Sequence, residues 1–501
     1  MKKTMEKNNS IDFSSLFYPK SIAMIGASSN PTKWGFIVMA NIVKGGYKGK
    51  LLPVNPNSKE ILGFKCYPKI SDINDNVDIA IITTPAKTVL GVIDDLIAVG
   101  INIAILVTSD FSETGEEGAK LEKEIVEKAR AGGLRLIGPN TMGIFSSGVK
   151  LTALMPPTVP IPGNVSMISQ SGNVGTQMLA WGVEQGIGFS KFVSSGNEGD
   201  VTCEDYLEYL GRDDDTKIIV LYLESLDNGL NFIEIAREIS LSKPIIVFKG
   251  GKTGVGMKAA ASHTGAMAGS IEVYRSAFRQ AGLIEATDTQ EILDLVGGFL
   301  SFPLPRANRV TILTRGGGWG VITADECEAV GLKVPPLSQV VFDRLDKQLP
   351  KYWSKGNPVD MVAVISEGPF LECLDALASS DGTDAVISLG GAVGEHFIES
   401  FKDKRLAKHM GISEDELNAF ADQYAKGSDE IKEVTAYLMD KYKKPLLNVE
   451  IGGGTSTRED MMKFGFYVYP TPERAVRVLY KLYEYNMFRT KVGDNDKSHS
   501  N

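Results

Sequence analysis

Of the four histidines in this chain, His263 stands where its chemistry could be used. It lies in the window Ala259–Gly269, AAASHTGAMAG, just after the loop Lys249-Gly250-Gly251-Lys252-Thr253-Gly254-Val255-Gly256. A neutral imidazole attacks phosphorus without a strong base beside it. Small neighbours such as Ser262, Thr264, Gly265 and Ala266 let a bulky, charged phosphoryl group reach the backbone. Two readings are open for this window by itself: a nucleophilic histidine carried on a loop, and a surface loop that contains a histidine. His396 and His409 fall in or near helices and His499 in the tail; they read as structural or solvated.

Two turns offer partners for such a phosphoryl group. Ser169-Gln170-Ser171-Gly172-Asn173 and Ser194-Ser195-Gly196-Asn197 each lead from a strand into a helix through small polar residues. Such turns set N–H groups and hydroxyls at the positive end of a helix dipole, which makes a phosphate cradle. Ordinary Ser/Asn capping accounts equally for either turn alone. Two of them in one sheet, with the histidine loop at a third strand-to-helix connection, favour a ligand. Glu224 ends the strand IIVLYLES. It could fix the imidazole tautomer and offset the charge of the phosphorylated ring; the competing reading is a solvated strand-end carboxylate.

The elements that must position these residues are short apolar, β-branched runs alternating with amphipathic helices. SIAMIG, KLLPVNP, DIAIITTP, INIAILVTSDF and LRLIGPN succeed one another from Ser21 with helices between them. That pattern predicts parallel βαβ units in a doubly wound sheet, with ligands at the carboxyl ends of the strands. The strand-end residues are Gly26-Ala27-Ser28, Asn55-Pro56, Thr83-Thr84-Pro85, Thr108-Ser109 and Gly138-Pro139-Asn140. The first turn, G-A-S-S-N-P, lacks the second and third glycines of the dinucleotide fingerprint, and no acid closes the second strand. A nicotinamide dehydrogenase therefore fits poorly. A nucleotide-like ligand remains open, and coenzyme A contains an ADP moiety.

The proline-rich stretch 151–163 reads as a linker, and a second α/β unit follows over 164–302. Residues 303–308 form another linker, and a third parallel unit spans 309–488 with glycine turns at Gly316–Gly320 and Gly452–Gly454. Residues 1–15 and 489–501 read as polar tails. A chain of 501 residues fits two to four domains, and 43% hydrophobic with 23% charged residues is ordinary for a soluble globular protein. The net charge of −9, without a basic stripe, argues against nucleic-acid binding. The four cysteines form no CxxC and suggest reduced thiols in the cytoplasm, and no apolar run reaches the ~18 residues of a membrane span. No metal site is expected.

Eight stretches occur in an order that resembles a known family. They are Ile25-Gly26-Ala27-Ser28 with Pro31 and Lys33, Val54-Asn55-Pro56, Gly138-Pro139-Asn140, Ile168-Ser169-Gln170-Ser171-Gly172, Ser195-Gly196-Asn197, Ser262-His263-Thr264-Gly265-Ala266, Asn357-Pro358-Val359-Asp360 and Tyr469-Pro470-Thr471-Pro472-Glu473-Arg474-Ala475. Together, over about residues 15–485, they look like the α subunit of the ADP-forming acyl-CoA synthetases, of the acetyl-CoA synthetase type, relatives of succinyl-CoA synthetase. The resemblance implies a Rossmann-like CoA-binding domain over 16–150, a phosphohistidine domain over 164–302 and a further flavodoxin-like ligase domain over 309–488. It also implies conversion of acyl-CoA, ADP and phosphate to carboxylate, ATP and CoA through an acyl phosphate and a phosphohistidine. Carried over by position, His263 takes the phosphoryl group and Glu224 supports it. Gln170, Ser171, Gly172, Asn173, Ser195, Gly196 and Asn197 bind phosphate. Gly26, Ala27, Ser28, Lys33, Asn55, Pro56, Lys59, Thr83, Pro85, Thr108 and Asn140 hold CoA.

No ATP-grasp module follows Tyr485, so ADP/ATP and Mg²⁺ are expected to enter through a separate β subunit, in an α2β2 assembly. Thr141-Met142 stands where a Cys-Leu pair is common, and Arg315, Gly317 and Trp319 replace the usual asparagine, alanine and proline. The competing reading is a non-catalytic CoA-binding protein on the same fold. An intact His263, Glu224 and both turns argue against it.

Overall fold

The computed structural model describes residues 11–226, 228–258, 270–362, 364, 366–390, 403–451 and 457–498. His263, His396, His499 and the Gly452–Gly454 turn lie outside them. The chain divides into two compact units, 1–183 with 188–285, and 184–187 with 286–501.

In the first unit, strands β1 (Ser21–Ile25), β2 (Lys50–Val54), β3 (Ile79–Ile82), β4 (Ile103–Leu106) and β5 (Arg135–Ile137) form a parallel sheet in the order β2-β1-β3-β4-β5. SIAMI, IAII and IAIL are buried along their whole length. A sheet covered by helices on both faces demands such unbroken apolar runs rather than alternation. The Glu116–Ala131 helix buries only Ile125, Val126 and Ala129 and places Glu116 and Glu117 in its first turn and Lys128 and Arg130 in its last. That charge order complements the helix dipole.

A second sheet in this unit joins β6 (Gly143–Ser146), β7 (Leu151–Leu154), β8 (Pro162–Ser169), β9 (Phe189–Ser194), β10 (Ile218–Leu223), β11 (Ile245–Lys249) and β12 (Ile284–Glu285). The order is β12-β11-β10-β8-β9-β6-β7, parallel except for the β6–β7 hairpin at one edge. Residues 151–154, expected in a linker, are thus a buried strand. Leu-Thr-Ala-Leu is buried along its whole length, and the prolines that suggested a linker begin only at Pro156. Asn41, on the helix Trp34–Gly45, donates to the carbonyls of Leu154 (2.7 Å) and Pro156 (3.0 Å), tying the hairpin to the first layer.

The second unit has a parallel sheet of β13 (Val310–Thr314), β14 (Val359–Asp360), β15 (Ala385–Leu389) and β16 (Leu446–Val449), in the order β14-β13-β15-β16. The helix Thr289–Ser301 packs here, where a Cβ on Gly297 would meet the Tyr467 ring at 2.3 Å. Arg474 clasps Asp294 on that helix at 2.6 and 2.5 Å. The compact boundary therefore falls at 285/286, not at the expected 302/303. Residues 489–498, expected as tail, continue the helix Pro472–Ser498. Residues 13–17 form a short helix whose Phe13, Leu16 and Phe17 are buried, so the expected N-terminal tail is ordered from there.

In all three sheets the first strand of the α/β unit is flanked by the next two, which makes the carboxyl ends of β1, β8 and β13 topological switch points. Crevices for ligands open at such points. Among the described residues no helix is long and apolar enough to cross a membrane.

Candidate active site

Gly26 follows β1 with a φ of +86°, and a Cβ there would meet Thr83 Oγ1 at 2.9 Å. Left-handed backbone in so close a space calls for glycine. The Thr83 hydroxyl donates to the carbonyls of Ile25 (3.1 Å) and Gly26 (3.2 Å). A Cβ on Gly35 would lie 2.1 Å from the Gly26 carbonyl oxygen. The Trp34–Gly45 helix therefore starts in backbone contact with the first turn. In the dinucleotide fingerprint a third glycine allows that close approach; here Gly35, farther along a longer turn, takes its part.

A cavity of about 560 Å³ opens over these strand ends. Its walls include Gly26, Ala27, Ser28, Lys33, Asn55, Thr83, Pro85, Thr108 and Asn140, as well as Gln170, Ser171, Gly172 and Asn173. The structure thus brings nine of the eleven expected CoA residues together with the first expected phosphate turn. Pro56 and Lys59 are exposed and do not line it. Asn55 braces the wall by donating to the Ala27 carbonyl (2.7 Å) and accepting from the Asn57 N–H (2.8 Å). Thr108 donates to the Thr84 carbonyl at 2.6 Å. Thr141 and Met142, noted above as standing where a Cys-Leu pair is common, also line the cavity, as do Trp34 and Met155, which were not singled out from sequence. Trp34 is half exposed (51%) at the cavity wall.

The Gln170–Asn173 turn leads from β8 into the helix Gly172–Glu184. Ser171 Oγ accepts from the Val174 N–H at 3.4 Å, and the Ser169 hydroxyl donates to the Ser171 carbonyl at 2.6 Å. Met142 lies over Gly172, where a Cβ would fall 2.3 Å from Met142 Cγ. The Gln170 amide is engaged rather than free: its oxygen accepts from the Glu224 and Ser225 N–H groups (2.5 and 3.0 Å), and its nitrogen donates to the Ser225 carbonyl (2.9 Å).

The second expected turn, Ser195-Gly196-Asn197, does not line the cavity. Asn197 donates to Ser112 (3.0 Å), Glu113 (2.6 Å) and Glu122 (3.0 Å) and accepts from Asn140 (3.2 Å). A Cβ on Gly196 would lie 2.1 Å from the Pro139 carbonyl oxygen. This turn clasps the Pro139-Asn140 corner of the first layer.

Glu224 is buried at the end of β10. Its carboxylate faces the Tyr222 hydroxyl and Lys249. Burial, and then Glu224, push the Tyr222 phenol up to about 12. Burial lowers Lys249 from the usual lysine range, against the pull of Glu224. The Lys249 ammonium donates to the Glu224 (2.7 Å) and Gly250 (2.5 Å) carbonyls and sits 4.7 Å from the Tyr274 ring centroid. The strand end that would support a histidine is thus held on three sides.

Glu198 was missed in the sequence. Its carboxyl accepts from Ser195 Oγ (2.6 Å), the Gln170 side chain and the Cys203 N–H. Burial, with Glu204 nearby, pushes it up to about 7. The only local signal was an acid following Ser-Gly-Asn; its partner Gln170 lies 28 positions earlier, so only the fold reveals the pair.

Comparison with known proteins adds a family context. Residues 20–147 match a CoA binding domain model, and residues 162–299 match a succinyl-CoA ligase like flavodoxin domain model. The latter reaches beyond the compact boundary at 285/286. The chain is 35% identical over 495 residues to the ADP-forming acetate–CoA ligase I subunit alpha of Pyrococcus furiosus, covering 95% of this chain and 98% of that one. It is 39% identical over 374 residues to the ADP-forming acetate–CoA ligase I of Archaeoglobus fulgidus, covering 75% of this chain and 54% of that longer one. Among solved structures it superposes, with a TM-score of 0.83 and 34% identity, on the Ca. Korarchaeum cryptofilum dinucleotide forming acetyl-coenzyme A synthetase 1 in complex with phosphate and ADP. That match covers 97% of this chain and 99% of the other.

Proposed function

The chain belongs to the ADP-forming acyl-CoA synthetases, a family of acid–thiol ligases, and on that premise we propose that it works as the α subunit of an ADP-forming acetate–CoA ligase. The reaction is acyl-CoA + phosphate + ADP ⇌ carboxylate + CoA + ATP, with acetyl-CoA as the thioester. The observation that carries this reading is a cavity walled on one side by the strand ends of the first sheet and on the other by the Gln170–Asn173 turn.

In this reading CoA is held by Gly26, Ala27, Ser28, Lys33, Asn55, Thr83, Pro85, Thr108 and Asn140. Phosphate is held by backbone N–H groups of the Gln170–Asn173 turn, where the helix dipole favours an anion. A phosphate oxygen attacks the thioester carbonyl carbon, and CoA leaves as the thiolate. A ring nitrogen of His263 then attacks phosphorus in the acyl phosphate, and the carboxylate leaves. Glu224 accepts from the other ring N–H and offsets the charge the ring acquires. A phosphoramidate lies near an acyl phosphate in transfer potential, so a histidine relay loses little free energy on the way to ADP.

ADP and Mg²⁺ enter through an ATP-grasp module on a separate β subunit, in a cytoplasmic α2β2 assembly. Supporting the division of labour, the Pyrococcus furiosus relative is itself named a subunit alpha, and this chain spans about half of the longer Archaeoglobus fulgidus relative. The test is His263→Asn, assayed with the β partner. Labelling by phosphate and ATP formation should disappear while CoA binding persists. ATP made from acetyl-CoA by that variant would remove the histidine from the pathway.

A further inference from the structure

Two strand ends of the second sheet and the start of a helix meet at the Glu198 carboxyl. Ser195 Oγ, from the turn after β9, donates to it at 2.6 Å. The Gln170 side chain, from the turn after β8, donates to it, as does the Cys203 N–H that opens the helix Cys203–Arg212. Through the Gln170 amide the bracket extends to the Glu224 and Ser225 N–H groups after β10. Glu198 itself has a φ of +56°, a left-handed conformation that a non-glycine residue rarely adopts. Strain of this kind persists where the surrounding structure demands the side chain.

We propose that Glu198 is a positioning residue for the reaction of this site, its ionised carboxyl locking the Gln170–Asn173 turn and the Glu224 strand end into one frame. The inference rests on the acetate–CoA ligase reading above. Among the three donors only Ser195 can answer a change of ionisation, because an amide N–H and a backbone N–H cannot accept. When Glu198 takes up a proton, its new O–H must donate to Ser195 Oγ. The Ser195 hydroxyl then turns to the Ser169 carbonyl, 3.4 Å away. The bond from Gln170 remains but loses its charge assistance, which roughly halves such a bond. The ionised form is therefore the well-positioned one. The other titratable groups facing Glu198 are Glu204, Cys203 and Tyr206, all on the Cys203–Arg212 helix. Cys203 and Tyr206 are held well above their ordinary values by burial and stay neutral, so Glu204 is the charge that tunes Glu198.

The test uses the full chain with its β partner and follows CoA release from acetyl-CoA, ADP and phosphate across pH, alongside calorimetric CoA binding. Wild type should lose kcat on the acid side of a limb near 7. Glu198→Gln copies the protonated hydrogen-bond pattern. It should run at the low-pH wild-type rate throughout, about tenfold below wild type at high pH, with the limb gone. Its affinity for CoA should stay within about twofold, since CoA binds the other wall. Glu204→Gln should keep the limb and move it acidward. A Glu198→Gln enzyme with the wild-type rate and limb overturns the proposal. So does one whose rate and CoA affinity fall together, which marks a merely structural carboxyl. A wild-type complex with no phosphate-dependent CoA release overturns the ligase reading, and this inference with it.

Discussion

The turn after β8 and the turn after β13 occupy the same place in their sheets and are built on opposite terms. Each leaves a strand at a switch point and opens a helix through small residues: Gln170-Ser171-Gly172 in one unit, Arg315-Gly316-Gly317 in the other. In the first, the Gln170 amide is engaged at both ends and a buried carboxyl completes the bracket. In the second, Arg315 stands with Nε and Nη2 buried and without hydrogen-bond partners among the described residues. Its guanidinium lies 5.0 Å from the Phe370 ring centroid, and burial lowers it from the usual arginine range against the pull of Glu367. A site whose hydrogen bonds are complete before ligand arrives is preorganised, whereas one that keeps donors in reserve carries a standing cost. The contrast makes the first turn brittle toward loss of a partner and the second tolerant of losing its charge.

Brittleness should be greatest where the clasp behind the first turn is anchored. Asp200 is fully buried and accepts from Arg130 Nε (2.5 Å), Arg135 Nε (2.9 Å) and the Leu136 N–H (2.7 Å). Asp200→Ala removes three hydrogen bonds to a charged acceptor, each worth about 1.5–3 kcal/mol; because the half-exposed Arg130 regains water, the net loss should be about 3–5 kcal/mol. Urea unfolding should register that loss; a change under about 1 kcal/mol would end the claim that this region is locked.

A somewhat smaller effect should follow at Glu198, with a sign set by linkage. Its folded value of about 7 lies above 4.5, the value expected when unfolded. Between those pH values the folded form holds a proton that the unfolded form has released. Its contribution is therefore full below about pH 4.5 and is lost as pH rises through about 7. At about 1.4 kcal/mol per pH unit the loss is roughly 3 kcal/mol. Glu198→Gln does not titrate, so its melting temperature should gain steadily on wild type across that window. A constant gap would mean that this carboxyl is not raised.

Much of this was legible in the chain, and what was not has physical reasons. Buried parallel strands announce themselves because both faces must be apolar, so IAII and IAIL needed no context. Leu151–Leu154 was hidden because four residues beside a proline-rich run carry too little period to register. The strand-end residues were legible because doubly wound sheets place ligands at those ends, and nine of eleven share the cavity. Ser195–Asn197 carried the same local signal as Gln170–Asn173, yet its Asn197 side chain is turned to the first layer and its Ser195 hydroxyl to Glu198. Composition sets what a turn can bind; only tertiary contacts decide whether its donors are already taken. Gly35 escaped for a related reason: the turn before it is longer than the fingerprint allows, so the close approach came at an unfamiliar spacing.

The smallest expected effect is the sharpest test of the contrast, because its sign is opposite. Arg315→Met removes two buried donors that lack partners among the described residues and keeps an unbranched side chain of similar length beside Phe370, where a thioether packs well against an aromatic ring. Each unsatisfied buried donor costs about 1–3 kcal/mol, but the substitution also gives up the attraction of Glu367. The net should be a gain of about 1–2 kcal/mol, seen as a higher urea midpoint with an unchanged slope. The matching change in the first unit, Gln170→Met, should destabilise, because it leaves the Glu224 and Ser225 N–H groups without their acceptor. If both substitutions shifted stability in the same direction, the two turns would not differ in the way their hydrogen bonds suggest. A gain at Arg315 with a loss at Gln170 would mean that the second turn keeps its guanidinium for some purpose other than holding the fold.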